Sequence, residues 1–156
     1  MYLTQTNLIR GLSKYEYLKL RMMCFFSKNL YNVTLYNIRQ YYFTEKKHLR
    51  YESNYHVTKD NENYKLLQAG VSQQTMKIVD RAFHSFFALI EKARRGEYRF
   101  QDIKLPKYRA KGSLFNLTLQ SNAISIKNGF LAVPMSMVSN KSNRKKAIQV
   151  RQVFWI

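Results

Sequence analysis

Hydrophobic positions along this chain follow two different periods. Over the first two thirds they recur every three or four residues. Leu18, Met22, Phe25, Phe26, Leu30 and Val33 form one stripe; Tyr31, Leu35, Ile38 and Tyr42 form a second beside it. Ser13 and Glu16 stand at the spacing of a capping box, in which the serine oxygen accepts from the glutamate N–H and the carboxylate accepts from the serine N–H. The pattern predicts one long helix from about residue 14 to about residue 46. Residues 51–63 are polar and non-periodic and predict a loop, followed by a short helical turn at Tyr64 to Gln68. Val71, Thr75, Ile78, Ala82, Phe86 and Leu89 then predict a second long helix, 71–94. Gly70 precedes it and Gly96 ends it.

From about residue 101 the period drops to two. Phe115, Leu117 and Leu119 alternate with Asn116, Thr118 and Gln120, as on a half-buried strand. Ile124 and Ile126 repeat the alternation, and Asn128-Gly129 before Phe130 is a strong hairpin signal. Residues 139–146 form a basic polar connector and the last ten residues a final strand. A short strand over 2–10 is expected before Gly11. The order strand, helices, strands points to an α+β fold.

Charge changes the picture most. The chain has 156 residues, with 27 Lys and Arg against 9 Asp and Glu, a net of +18. Residues 103–156 carry no acid at all. A small domain so basic repels itself unless an anion is near, and nucleic acid is the commonest such partner. Cys24 is the single cysteine, which excludes an internal disulfide and a Cys-based zinc site. There is no signal-peptide pattern and no long apolar run, so a membrane partner is not expected. The expected setting is a reducing cytoplasm.

Two groups of residues carry the candidate chemistry. On the second helix, Gln73, Gln74, Lys77 and Arg81 offer amides for base edges and cations for phosphate, with His84 as a weaker member. After it, Lys107, Tyr108, Arg109 and Lys111 interleave cations with an aromatic on which a base can stack. Thr118 is a further expected contact to duplex DNA. Tyr51 and Tyr55, in the expected loop, are placed to touch nucleic acid, and Arg144, Lys145 and Lys146 to touch RNA phosphates. Asn29 and Asn32 are read as phosphate donors or as packing residues of the first helix.

Four stretches together resemble the N-terminal half of the TnpB (OrfB) family of transposon-encoded, RNA-guided nucleases, relatives of type V CRISPR effectors. They are SKNLYNVTLYNIRQ (27–40), LLQAGVSQQTMKIVDRAFHSFFALIEK (66–92), IKLPKYRAKGSLFNLTLQ (103–120) and NAISIKNGFLAVP (122–134). The resemblance implies a helical recognition lobe of two long helices inserted into a small oligonucleotide-binding-like β-barrel, the wedge. It implies a first wedge strand at 1–12, the recognition lobe at 13–97, wedge strands and hairpin at 98–138, and a connector with a last strand at 139–156. It also implies two partners, a guide RNA and a short duplex DNA motif beside the target.

Cleavage in that family belongs to a RuvC domain with three carboxylates and metal ions, usually with a Cys-rich zinc ribbon. Here no acid follows Asp102 and no Cys-x-x-Cys exists. A two-metal site needs clustered carboxylates to bridge attacking and leaving oxygens. The expectation is therefore a non-enzymatic, cofactor-free binding module, truncated before the RuvC domain. Cutting would need a second chain that supplies it. The competing expectation is a stand-alone DNA-binding repressor derived from a transposon protein.

Overall fold

Ser13 opens the first helix as its spacing predicts. In the computed structural model, which describes residues 8–128, 130–133 and 148–151, α1 spans Lys14–Glu45 and both arms of the capping box are made. Lys46 closes it in the left-handed region at φ 55°, its N–H bonded to the Tyr42 carbonyl. Residues 51–63 are not a loop. They hold α2, Tyr51–Thr58, and the start of the one-turn α3, Glu62–Lys65. The second long helix, α4, spans Ala69–Arg94. Gly70 lies inside its first turn and does not interrupt it. At the other end Gly96 adopts φ 78°. Its N–H bonds the Ala93 carbonyl and the Glu97 N–H bonds the Lys92 carbonyl, the paired closure that favours glycine.

α1 and α4 pack along each other and divide the core in two. One cluster holds Met23, Leu30, Tyr64, Leu67, Val71 and Met76; the other holds Tyr31, Leu35, Ile38, Val79, Phe83 and Phe86. The buried arc of α4 is wider than the expected stripe. Met76, Val79 and Phe83 are its most enclosed large side chains, whereas Ile78, Ala82 and Leu89 are half-buried. α2 is fastened to α1 by polar groups instead. Asn54 is 1% exposed and donates to the Thr34 carbonyl at 3.2 Å. Its Oδ1 accepts from Asn37 at 3.1 Å and from Thr58 at 3.0 Å.

The expected β-barrel is not formed among the described residues, and the chain is mostly helical rather than α+β. Residues 8–12 contain no strand, and residues 1–7 lie outside the described part. Residues 103–120 are extended yet pair with no strand. The alternation is present all the same: Phe115, Leu117 and Leu119 reach the two core clusters while Asn116 and Gln120 face solvent. The backbone of this segment is bonded by α1. Cys24 accepts from the Phe115 N–H at 3.1 Å, and Ser27 Oγ donates to the Asn116 carbonyl at 3.0 Å. Period two reports a half-buried extended chain; it does not say whether a strand or a helix supplies the partner.

The hairpin is present. β1 (Ser125–Lys127) and β2 (Phe130–Val133) pair antiparallel, Lys127 opposite Phe130, with Asn128 at φ 51° in the turn. β3 (Ile148–Arg151) adds antiparallel to β2, in the order β1-β2-β3. Val133 joins this small sheet to Leu12 and Leu20 near the start of α1 and to Leu119. Among the described residues no helix is long and apolar enough to cross a membrane.

Candidate nucleic-acid interface

Two of the expected contact groups become compact patches, and they lie on different elements. The first joins α2 to α4. Tyr51 and Tyr55 are one turn apart on α2, ring centroids 6.2 Å from each other, and Tyr55 meets Tyr64 edge-on at 5.9 Å. All three rest on the Met23–Met76 cluster. Lys77 reaches over from α4, its Nζ 5.2 Å from the Tyr51 ring centre. Gln73 lies one turn before Lys77 on α4, half-buried. A cation, an amide and the half-buried phenols Tyr51 and Tyr55 are thus presented together, with Tyr64 buried beneath them.

Burial pushes the Tyr51 hydroxyl above its ordinary pKa, with Tyr55 and Glu52 adding to the rise. Burial likewise raises Tyr64, against a lowering by Gln73. Both phenols therefore stay protonated and able to donate across the physiological range. Gln74 is half-buried; Arg81 and His84 are exposed along the same helix.

The second patch lies where residues 103–113 cross α1. Asn32 binds the backbone of Arg109 twice: Oδ1 accepts the Arg109 N–H at 2.9 Å and Nδ2 donates to its carbonyl at 2.9 Å. Lys28, 4% exposed, donates to the Lys111 carbonyl at 3.0 Å and lies 4.3 Å from the Phe25 ring centre. The Arg109 guanidinium covers Tyr31 and Phe115, at 5.2 and 4.9 Å from their centroids. Part of its role is packing. Arg39 covers Tyr108 at 5.0 Å, and Tyr108 remains exposed beside Lys107 and Lys111. Among the described residues no carboxylate lies within ion-pair distance of Lys77, Arg81, Lys107, Arg109 or Lys111. Their charge is not neutralised by an internal salt bridge.

No protein-family model and no curated protein matches this chain. The site is therefore judged on its own residues.

Thr118 is half-buried. Its neighbours Leu117 and Leu119 pack on the same cluster as Tyr51 and Tyr55. Arg144, Lys145 and Lys146 lie outside the described residues. Asn32 serves the backbone of the basic segment rather than solvent. Three residues escape the sequence-based selection. Lys28 and Arg39 share a face of α1 with Asn32, at spacings of four and seven, and this polar stripe opposite a basic segment is a usable signal. His48 is the third. Its Nε2 lies 3.1 Å from Asp80 Oδ1, across a span of sequence that no spacing rule connects. Among the described residues no group of three or more His, Cys, Asp or Glu side chains is arranged to hold a metal ion.

Proposed function

We propose that this chain is a nucleic-acid-binding module, the guide-RNA and DNA-recognition part of a TnpB-like RNA-guided nuclease. The observation that carries this reading is Lys77 poised over Tyr51, with Tyr55 and Gln73 alongside. Phenols and an amide hydrogen-bond or stack on bases while the ammonium holds a phosphate. This patch is assigned to duplex DNA. The Lys107–Lys111 segment, with Tyr108 between its cations, is assigned to RNA, because an exposed ring among cations suits single strands with unstacked bases. The net charge of +18 supplies the long-range attraction.

The test is purification from the native host followed by absorbance, nuclease digestion and sequencing of what is bound. Retained structured RNA, together with duplex binding that weakens steeply between about 50 and 200 mM salt, supports the proposal. RNA-free protein that shifts a duplex by itself favours the stand-alone DNA-binding repressor. Failure to hold either polyanion at low salt rejects both.

A further inference from the structure

α2 has eight residues, too few to be stable alone. Its position depends on anchors at its two ends. Asn54 and Thr58 hold the C-terminal half to α1. The N-terminal half follows directly from the short connector after Lys46, and that connector is fastened to α4 by His48 and Leu49. The His48 ring stacks on Phe83 at 6.1 Å and packs against Phe87 at 5.2 Å. Its Nε2 meets Asp80 Oδ1 at 3.1 Å. Both atoms are shielded from water and neither has a well-directed hydrogen-bond partner, so they meet as a close polar pair.

His48 stands three residues before Tyr51, and Asp80 three residues after Lys77. Asp80 thus follows Lys77 by one turn of α4, and His48 sits in the connector that leads into Tyr51 at the start of α2. We propose that His48 and Asp80 are positioning residues, a lock that seats the start of α2 against α4 and that acid releases. The consequence for ligand binding rests on the nucleic-acid reading above; the lock itself does not.

The direction follows from what surrounds the ring. A cleft of about 550 Å³ opens beside it. Arg50 and Glu52 face it from the start of α2, and Asp80, His84 and Glu91 face it from α4. Asp80 favours the charged imidazolium. Burial opposes it most, and Arg50 and His84 oppose it further, so the ring is held below its ordinary pKa. A neutral imidazole can turn an N–H toward the Asp80 carboxylate and lie flat on two phenylalanines at little cost. An imidazolium in the same place needs water. The open cleft can provide it once the connector lifts from Phe83 and Phe87. Lifting also draws Tyr51 away from Lys77. In a protein of this charge, acid would ordinarily strengthen the hold on a polyanion; the lock works against that trend.

The experiment compares the wild-type chain with His48→Gln, whose neutral amide fills a similar volume and can face Asp80 at any pH. Hydrogen exchange of the α2 amides is followed at about pH 7.5 and about pH 5.5, corrected for the intrinsic pH dependence of exchange. The wild type should exchange about three- to tenfold faster at the lower pH, and His48→Gln should not change. Equal acceleration in both, or none in the wild type, overturns the lock. Asp80→Asn is a second variant: it removes the attraction to His48 without a large change in shape, and α2 exchange should rise even at the higher pH. Duplex binding is measured on the same samples. Absence of duplex binding at both pH values rejects the functional reading, while the exchange comparison still decides the lock.

Discussion

Asn32 holds Arg109 as one strand holds another. Its amide makes both bonds that a neighbouring strand would make, at 2.9 Å each, yet it projects from a helix. Replacing it with Ala leaves the Arg109 backbone to water and frees the basic segment. We expect Asn32→Ala to cost about 1–2 kcal/mol. It should also weaken RNA binding more than duplex binding. Urea unfolding checks the first, and paired binding assays check the second. An RNA affinity that stays fixed would detach this segment from the proposed RNA role.

Lys77→Ala removes a cation that stands over Tyr51. Duplex affinity should drop about tenfold at low salt, and the slope of log affinity against log salt should shrink by about 0.9. RNA affinity should change far less. Fluorescence anisotropy across a salt series reads both. An unaltered slope would mean that Lys77 meets no phosphate.

Asn54→Leu keeps the volume of a buried side chain but removes the acceptor shared by the Asn37 amide and the Thr58 hydroxyl, which keep only their bond to each other. The expected loss is about 2 kcal/mol, larger than a surface change gives. Chemical denaturation measures it. A neutral outcome would show that the network is not what holds α2.

Stability should decline as the solution is acidified below the ordinary histidine pKa of about 6.5. His48 is held below that value, chiefly by burial. The unfolded chain therefore binds the proton first. This contribution is complete above the unfolded value and fades as pH falls toward the folded one. Thermal melts at about pH 7.5 and about pH 5.5 should separate in the wild type, and the separation should narrow in His48→Gln. An identical separation in the two proteins would assign the acid sensitivity to other groups.

Gly70 sits in the first turn of α4 with an ordinary negative φ. A methyl group added there would meet Gln120 Oε1 and Gln68 Oε1 at 3.5 Å, normal contact. Gly70→Ala should raise stability by about 0.5–1 kcal/mol by restricting the unfolded chain. A drop in melting temperature would mean that close approach matters at this turn.

The extents of the long helices are legible because each carries a capping signal or a closing glycine beside recurring apolar positions, but Leu18, Met22 and Phe25 of the expected α1 stripe are exposed rather than core. The α4 stripe was displaced for a physical reason. α4 is covered on more than one side, so its buried arc takes in Met76, Val79 and Phe83, beyond what one face requires. α2 was invisible to hydrophobic periodicity because Asn54 and Thr58, not leucines, fasten it. Tyr51 and Tyr55 are expected on a loop but lie on α2. Their spacing of four, together with Lys77, gains meaning only once both sit on helices. The alternation at Phe115, Leu117 and Leu119 fixed which side chains turn inward, but the wall they turn toward is α1 and α4. The pairing of His48 with Asp80 depends on how a connector folds back, and nothing local encodes it.

The side-chain clamps of α1 also govern where the chain tolerates extra length. Bonds to Asn32 and Lys28 fix the segment before the turn at Gly112, and bonds to Cys24 and Ser27 fix it afterwards. One residue inserted beside Gly112, where the turn is open, is absorbed between the two sets of clamps. The same insertion a few positions later, just past Asn116, turns Leu117 and Leu119 outward and brings polar atoms against the core. Natural or engineered length variation should therefore concentrate at Gly112 and be purged from the stretch that follows.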